Sequence, residues 1–316
     1  MPAARRVAVL VPCHNEATAI AKVIADFRTV LPDAAIHVFD NASSDDSARI
    51  AMQAGAHVHT VALRGKGNVV RRMFADVDAD AYLLVDGDDT YDASCAPDLL
   101  EILQRNNCDM VVGVREAVDA AAYRRGHAFG NRLLTGFLSH LFGRDCRDML
   151  SGYRAFSRRF VKSFPVFSSG FEIEIELSVH ALEMSMSVGE LTTPYKERPH
   201  GSASKLHTYR DGTRILFTIL RLFSIERPLT FYGGIAALLA LLSVVLAVPI
   251  FQTYFETGLV PRFPTAILST GLMLLSALSF FAGLILATVT RGRHELKAMI
   301  YLQYHSPSAG DVSNHD

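Results

Sequence analysis

The stretch Tyr82-Leu83-Leu84-Val85-Asp86-Gly87-Asp88-Asp89-Thr90 decides how this chain is read. A short apolar run of strand length ends in two carboxylates separated by one glycine. Carboxylates so placed can hold a hard divalent cation that also takes oxygens from a diphosphate. In an exposed loop such a tripeptide is commonly just a turn. Here it follows a buried strand directly, and open α/β sheets bind ligands at the carboxyl ends of their strands.

Working outward, Val7–Val11, Ile36–Asp40, His57–Val61, Met110–Val114 and Val188–Thr193 read as further strands. Helical spacing fills the gaps: Ile20, Val23, Ile24, Phe27, Val30 and Leu31 recur on one face, and 45–54 and 171–184 repeat the pattern. The alternation implies an α/β domain with a mainly parallel sheet. Polar clusters stand at the strand ends. The first strand runs into Pro12-Cys13-His14-Asn15-Glu16, where a dinucleotide fold would carry glycines. Asn15 and Glu16 offer an amide and a carboxylate suited to a base or ribose, and the bland reading is a helix cap. The second strand ends in Asp40-Asn41-Ala42-Ser43-Ser44-Asp45-Asp46. Ser44 or Asp45 can cap the next helix, which leaves Asp40 to accept from ribose hydroxyls or a base N–H. In Arg64-Gly65-Lys66-Gly67-Asn68 the glycines permit close backbone approach and Lys66 offers a point charge for phosphate; the spacing is not that of a Walker motif.

Over 316 residues the formal net charge is -1, with signs mixed, so composition gives no case for a nucleic-acid partner. Cys13, Cys95, Cys108 and Cys146 are scattered without a CxxC pair, which fits reduced thiols rather than zinc or disulfides. Pro228–Phe255 and Phe263–Thr290 contain no charged residue, and each exceeds the roughly 20 apolar residues that cross a bilayer. Arg210, Arg214, Arg221 and Arg227 precede the first stretch, and Arg291, Arg293 and Lys297 follow the second. This bias places both ends in the cytoplasm. The expected organisation is a catalytic domain over 1–208, a basic amphipathic helix at the membrane surface over 209–227, transmembrane helices over 228–255 and 263–290, and a cytoplasmic tail over 291–316. The expected location is the inner membrane, multi-pass, with the catalytic domain and both termini cytoplasmic.

With its strand-end motifs in this order, the chain resembles the family 2 glycosyltransferases of the nucleotide-diphospho-sugar (GT-A) fold. It is most similar in layout to dolichyl-phosphate mannosyltransferases and bacterial polyprenyl-phosphate glucosyltransferases, and the latter also end in two transmembrane helices. The resemblance implies that Pro12, Asn15, Glu16, Asp40 and Asn41 contact the nucleoside, with Lys66 near it or its phosphates. Asp86, Gly87 and Asp88 would form the DxD motif, Asp86 and Asp88 holding Mg²⁺ or Mn²⁺, with Thr90 as a further ligand. Gly113-Val114-Arg115, the Arg124-Arg125 pair and Ser151-Gly152-Tyr153-Arg154 fit the family's later motifs in order. Arg115 with Arg125, or with Arg124, would then clamp the lipid phosphate, and Ser151 and Arg154 would add phosphate or acceptor contacts. Glu174, in Phe171-Glu172-Ile173-Glu174-Ile175-Glu176, resembles a buried family acid, against surface charge as the plain reading of all three glutamates. Arg198, Ser204 and Lys205 lie in a segment similar to the loop that closes over the donor diphosphate in these transferases.

The implied reaction is inverting transfer of a hexose from a nucleotide diphosphate sugar, UDP-glucose being the first choice, to polyprenyl phosphate. A GDP-mannose-using relative of the dolichyl type is the alternative, and a homotetramer is the implied assembly. A processive polysaccharide synthase would carry a Gln-x-x-Arg-Trp motif, and this chain contains no tryptophan. A pyrophosphorylase would want a glycine-rich loop after the first strand. A non-catalytic membrane scaffold would make no use of Asp88.

Overall fold

The computed structural model describes residues 6–117, 136, 147–170, 172–197, 217 and 220–305. Two units make up the chain, Met1–Ile215 with Lys297–Asp316, and Leu216–Leu296. The first unit is built on a sheet whose described strands are β1 (Val7–Cys13), β2 (Ala35–Asp40), β3 (His57–Thr60), β4 (Ala81–Leu84), β5 (Met110–Ala117), β6 (Arg154–Ser157) and β7 (Val188–Tyr195). Its helices are α1 (Ile20–Val30), α2 (Ser47–Gln53), α3 (Lys66–Asp76), α4 (Ala96–Arg105), α5 (Arg158–Ser163) and α6 (Ile173–Glu183). The strand order is β3-β2-β1-β4-β6-β5-β7.

The first four strands pair in parallel, as do β5 and β7, because the crossover connections bring the chain back to the same end of the sheet before each of these strands begins. Alternate residues of β1 feed two cores. Val9, Val11 and Cys13 pack with α1, α2 and α4 residues such as Ile24, Phe27, Ala51 and Leu99. Ala8 and Leu10 pack with Val70, Met73 and Phe74 of α3 and Phe160 and Leu177 beyond. A sheet buried on both faces explains the unbroken apolar runs that mark these strands. β6 departs from the sequence reading: it runs antiparallel between β4 and β5. Four residues buried on both faces, starting with an arginine, carry no alternation that would announce a strand.

The second unit contains α7 (Pro228–Thr257) and most of α8 (Phe263–Leu302), both long and apolar enough to cross a membrane. Gly258 ends α7 in the left-handed conformation, φ 68°, that glycine adopts without strain. The helices are joined by hydroxyls: Ser243 Oγ donates to the Ser269 carbonyl at 2.7 Å, Ser269 Oγ to the Ser243 carbonyl at 3.1 Å, and Ser276 Oγ to the Ala236 carbonyl at 2.8 Å. Such small polar residues suit contacts between helices in lipid, where apolar packing gives no preference for protein over solvent. The expected spans lie inside α7 and α8, but α8 continues past Thr290 to Leu302, since Glu295-Leu296-Lys297-Ala298-Met299 are strong helix formers. Residues 220–226 are helical. Residues 124–142 other than 136, the loop segment over 198–205 and residues 306–316 of the expected tail lie outside the described residues.

Leu83 is fully buried on the central strand β4, whereas Leu278 of α8 is 65% exposed. Leu83→Ala is expected to cost about 2–5 kcal/mol, read as a lowered melting temperature by circular dichroism of the detergent-solubilised protein. Leu278→Ala is expected to leave the melting temperature unchanged.

Candidate active site

The loops after β1 and β2 are sewn together at the carboxyl edge of the sheet. Asn15, at φ 52°, accepts from Ser44 N through Oδ1 at 2.8 Å, and its own N–H donates to Ser43 Oγ at 2.9 Å. Glu16 N donates to Ser47 Oγ and Ala17 N to Asp45 Oδ2. Asn41 is fully engaged: Nδ2 donates to the Val61 and Leu63 carbonyls at 3.0 and 2.7 Å, and Oδ1 accepts from Gly65 N at 2.7 Å. The expected nucleoside contact by Asn41 is therefore corrected, since its amide braces the path from β3 to Lys66. Asp40 is the opposite case. It is buried, its Oδ2 accepts from Ser43 N at 3.2 Å, and its Oδ1 has no partner. An unpaired buried carboxylate oxygen is costly and marks a place for an incoming donor. Cys13 beside it is an inert thiol, its pKa pushed up to about 12 chiefly by burial.

Lys66 sits at the start of α3 with its ammonium between two carboxylates, 2.5 Å from Asp86 Oδ1 and 2.7 Å from Glu174 Oε1. Burial works against its charge, but the attraction of Asp86 and Glu174 outweighs this and raises its pKa. Glu174 is shifted upward by burial despite the lysine, and its Oε2 has no partner. The expectation that Lys66 is a ready charge for phosphate is thus revised: Lys66 clamps Asp86. The glycines around it also serve a different end. A Cβ at Gly65 or Gly67 would strike the Ser169 or Ser168 carbonyl, so the two glycines admit a neighbouring stretch of chain rather than a ligand. That stretch is fixed in turn by Glu176, whose carboxylate accepts from Phe167 N at 2.9 Å and Ser168 N at 2.8 Å. Glu174 and Glu176 are both buried, which overturns surface charge as their plain reading.

Asp88 is 4% exposed, and its Oδ1 accepts from Thr90 Oγ1 at 2.6 Å and Thr90 N at 3.3 Å. Asp86 and Asp88 are hard oxygen donors at a parallel strand end, which fits Mg²⁺ or Mn²⁺. The fit is unequal, because Asp86 shares its charge with Lys66 while Thr90 orients Asp88. Gly87 packs against the Pro12 carbonyl, where an added Cβ would lie at 3.3 Å.

Across the sheet, Arg115 makes a forked pair with Asp148, Nε to Oδ2 at 2.7 Å and Nη2 to Oδ1 at 2.8 Å. The fork expected to grip phosphate is turned on a carboxylate instead. Arg154 is fully buried and donates to the Ser151 and Met149 carbonyls at 2.8 and 2.6 Å and to Ser178 Oγ at 2.9 Å. The expected phosphate contact by Arg154 is corrected on that ground; this arginine holds the turn before β6. Ser151 Oγ likewise donates to the Gly113 carbonyl at 2.6 Å and is fully buried, so it supports the same turn. Tyr91 accepts from Gly152 N at 2.9 Å, and burial raises its pKa so that the hydroxyl keeps its proton. Sequence reasoning missed Tyr91 and the bracing role of Asp148; a tyrosine shortly after the DxD motif was the available signal for the first. Arg124, Arg125, Arg198, Ser204 and Lys205 lie outside the described residues.

A mainly parallel, doubly covered sheet with paired carboxylates at the end of β4 defines a GT-A-like nucleotide-sugar fold. The chain belongs to glycosyl transferase family 2, whose model, Glycosyl transferase family 2, matches residues 8–164. It is 36% identical to the glycosyltransferase AglJ of Haloferax volcanii over 237 residues, 74% of this chain and 78% of the relative. It is 27% identical to a dolichyl-phosphate hexose transferase of the same organism over 220 residues, 70% of this chain and 95% of the relative. Among solved structures it is similar to glucosyl-3-phosphoglycerate synthase of Mycobacterium tuberculosis in complex with Mn²⁺, uridine diphosphate and glucosyl-3-phosphoglycerate. That likeness has a TM-score of 0.57 at 23% identity and covers 69% of this chain and 80% of the other.

Gly152 explains itself through this geometry. A Cβ there would lie 2.5 Å from Asp86 Oδ2 and 3.1 Å from Lys66 Nζ. Gly152→Ala is expected to leave a folded protein with transfer slowed about 100-fold, the cost of a displacement of about 1 Å at a reacting centre. Initial-rate measurement beside a melting curve checks both halves.

Proposed function

We propose that the chain transfers a hexose from a nucleotide diphosphate sugar to the phosphate of a polyprenyl lipid, by a direct displacement that inverts the anomeric centre. The observation that carries this reading is the presence, in one chain, of an acidic strand-end site and two helices long and apolar enough to cross a membrane. The likeness to a dolichyl-phosphate hexose transferase supports a lipid phosphate as acceptor. A solved neighbour in complex with uridine-diphosphate-glucose makes UDP-glucose the first donor to try. The catalytic unit and both termini would face the cytoplasm, where nucleotide sugars are found, and a homotetramer is the assembly we expect.

An anionic phosphate acceptor is nucleophilic at neutral pH, so the reaction needs no strong base to take a proton. What it needs is relief of repulsion between two anionic reactants and stabilisation of the diphosphate that leaves. Asp40 Oδ1 would accept an N–H of the base or a ribose hydroxyl, which satisfies its unpaired oxygen. Asp88, oriented by Thr90, would hold Mg²⁺ or Mn²⁺ with Asp86 beside it, and the ion when bound neutralises diphosphate oxygens. Lys66 and Glu174 keep the Asp86 carboxylate in place. Arg124 or Arg125, with Arg198, Ser204 and Lys205, would draw in the two phosphates.

The test incubates the purified full-length protein with Mg²⁺ or Mn²⁺, undecaprenyl phosphate and a panel of labelled UDP- and GDP-sugars. One donor is expected to label a lipid-extractable product, undecaprenol is expected to give none, and Asp88→Asn is expected to lower the rate by about 100- to 1,000-fold or more, the loss typical of one electrostatic group at a transition state. If no donor labels the lipid, the proposal is wrong; if the label reaches the lipid from GDP-mannose and not from UDP-glucose, the donor choice alone is wrong.

A further inference from the structure

Asp86 already has a cation, and that cation belongs to the chain. Lys66 Nζ lies 2.5 Å from Asp86 Oδ1 and 2.7 Å from Glu174 Oε1, on a side chain that is 9% exposed. The other oxygen, Asp86 Oδ2, lies against Gly152, where a Cβ would come within 2.5 Å of it. Asp88, two residues on, takes its hydrogen bonds from Thr90 instead. Glu174 is less fully used. It is buried, and its Oε2 has no partner. A buried carboxylate oxygen without a donor is costly and calls for one. An ammonium carries three N–H groups on a flexible stem, so Lys66 can exchange one carboxylate oxygen for another without leaving the trio. Gly152 leaves space beside both groups, since its missing Cβ would also lie 3.1 Å from Lys66 Nζ.

We propose that Lys66 is a resident counter-ion that competes with the divalent ion for Asp86, and that the unpaired Glu174 Oε2 is the acceptor that takes the lysine when the ion arrives. The inference rests on the reading of Asp86 and Asp88 as a metal site and makes no use of the sugar or the lipid. A positive charge a few ångströms from an incoming cation repels it, and more strongly where little water lies between them. Lys66 on Asp86 therefore keeps the ion weakly held while the site is empty of nucleotide. A nucleotide diphosphate adds negative charge of its own and shifts the balance, so that Lys66 yields Asp86 when metal and donor come together. Glu174 acts through the lysine, because its carboxylate draws the ammonium away from Asp86. Both are positioning residues in this account. The plain alternative is a fixed strut in which Lys66 and Glu174 only hold Asp86 still; loss of either would then loosen Asp86 and weaken ion binding alike.

The test titrates the full-length protein in detergent with Mn²⁺, without nucleotide, and reads the free ion by electron paramagnetic resonance, counting only the binding that Asp88→Asn removes. Lys66→Gln is expected to tighten Mn²⁺ by about tenfold, the effect of one unit charge a few ångströms away, and Glu174→Gln to weaken it by a similar factor. In the double variant Lys66→Gln with Glu174→Gln, the glutamate change is expected to add nothing, because its effect passes through the lysine. The double variant should therefore also bind more tightly than the wild type. It leaves a single charge in the trio, so it carries the test if Lys66→Gln alone does not fold, which a melting curve shows. Opposite responses of the two single variants support the inference whichever sugar or acceptor the transfer assay finds. Unchanged or weaker binding in Lys66→Gln and in the double variant, or a glutamate effect that persists without the lysine, overturns it. No Mn²⁺ binding in the wild type or any variant, with UDP absent or present, overturns the metal reading together with it.

Discussion

The site rests on one buried ammonium. Lys66 is almost out of water, and an isolated charge there would cost several kcal/mol. Asp86 and Glu174 offset that cost, and in doing so they join the end of β4, the start of α3 and the first turn of α6 at a single point. Much of the local sequence follows from this point. Gly152 leaves room for the Asp86 carboxylate and the Lys66 ammonium, and Gly65 and Gly67 leave room for 168–169, which Glu176 holds by its backbone amides. Removing either acid would leave the lysine without its balance, whereas a neutral trio would lose the orientation of Asp86.

The centre of the fold was legible because strands buried on both faces are written in continuous apolar runs, as β1, β4 and the first half of β5 are. β6 was not, because Arg154 hides a buried strand behind a charged residue whose partners, Met149, Ser151 and Ser178, are supplied by the fold. The same limit divides the site. The Asp86 to Asp88 motif could be read from its place after a strand. The partnership of Lys66 with Glu174 could not, since it joins residues more than a hundred positions apart and nothing local to either announces the other. The resemblance implies phosphate contacts for Arg115 and Arg154, but their partners are set by the fold: Arg115 pairs with Asp148, and the fully buried Arg154 holds backbone carbonyls.

Joining an acidic nucleotide-sugar site to apolar helices narrows the chemistry. A soluble acceptor would make no demand for α7 and α8, while a lipid acceptor must be met at a membrane. In the proposed reaction an acceptor that is already an anion removes the need for a base and would place the burden on charge, met by a divalent ion at Asp88 and by cationic side chains near the two phosphates.

The central claim is that a phosphate oxygen of the lipid attacks the sugar carbon directly. Phosphorus and proton magnetic resonance of the purified lipid product made from an α-linked donor test it most directly. The account predicts a phosphodiester whose anomeric proton couples to phosphorus and has the β configuration. A sugar attached to a hydroxyl, with no such coupling, or a product that retains the α configuration, would contradict it.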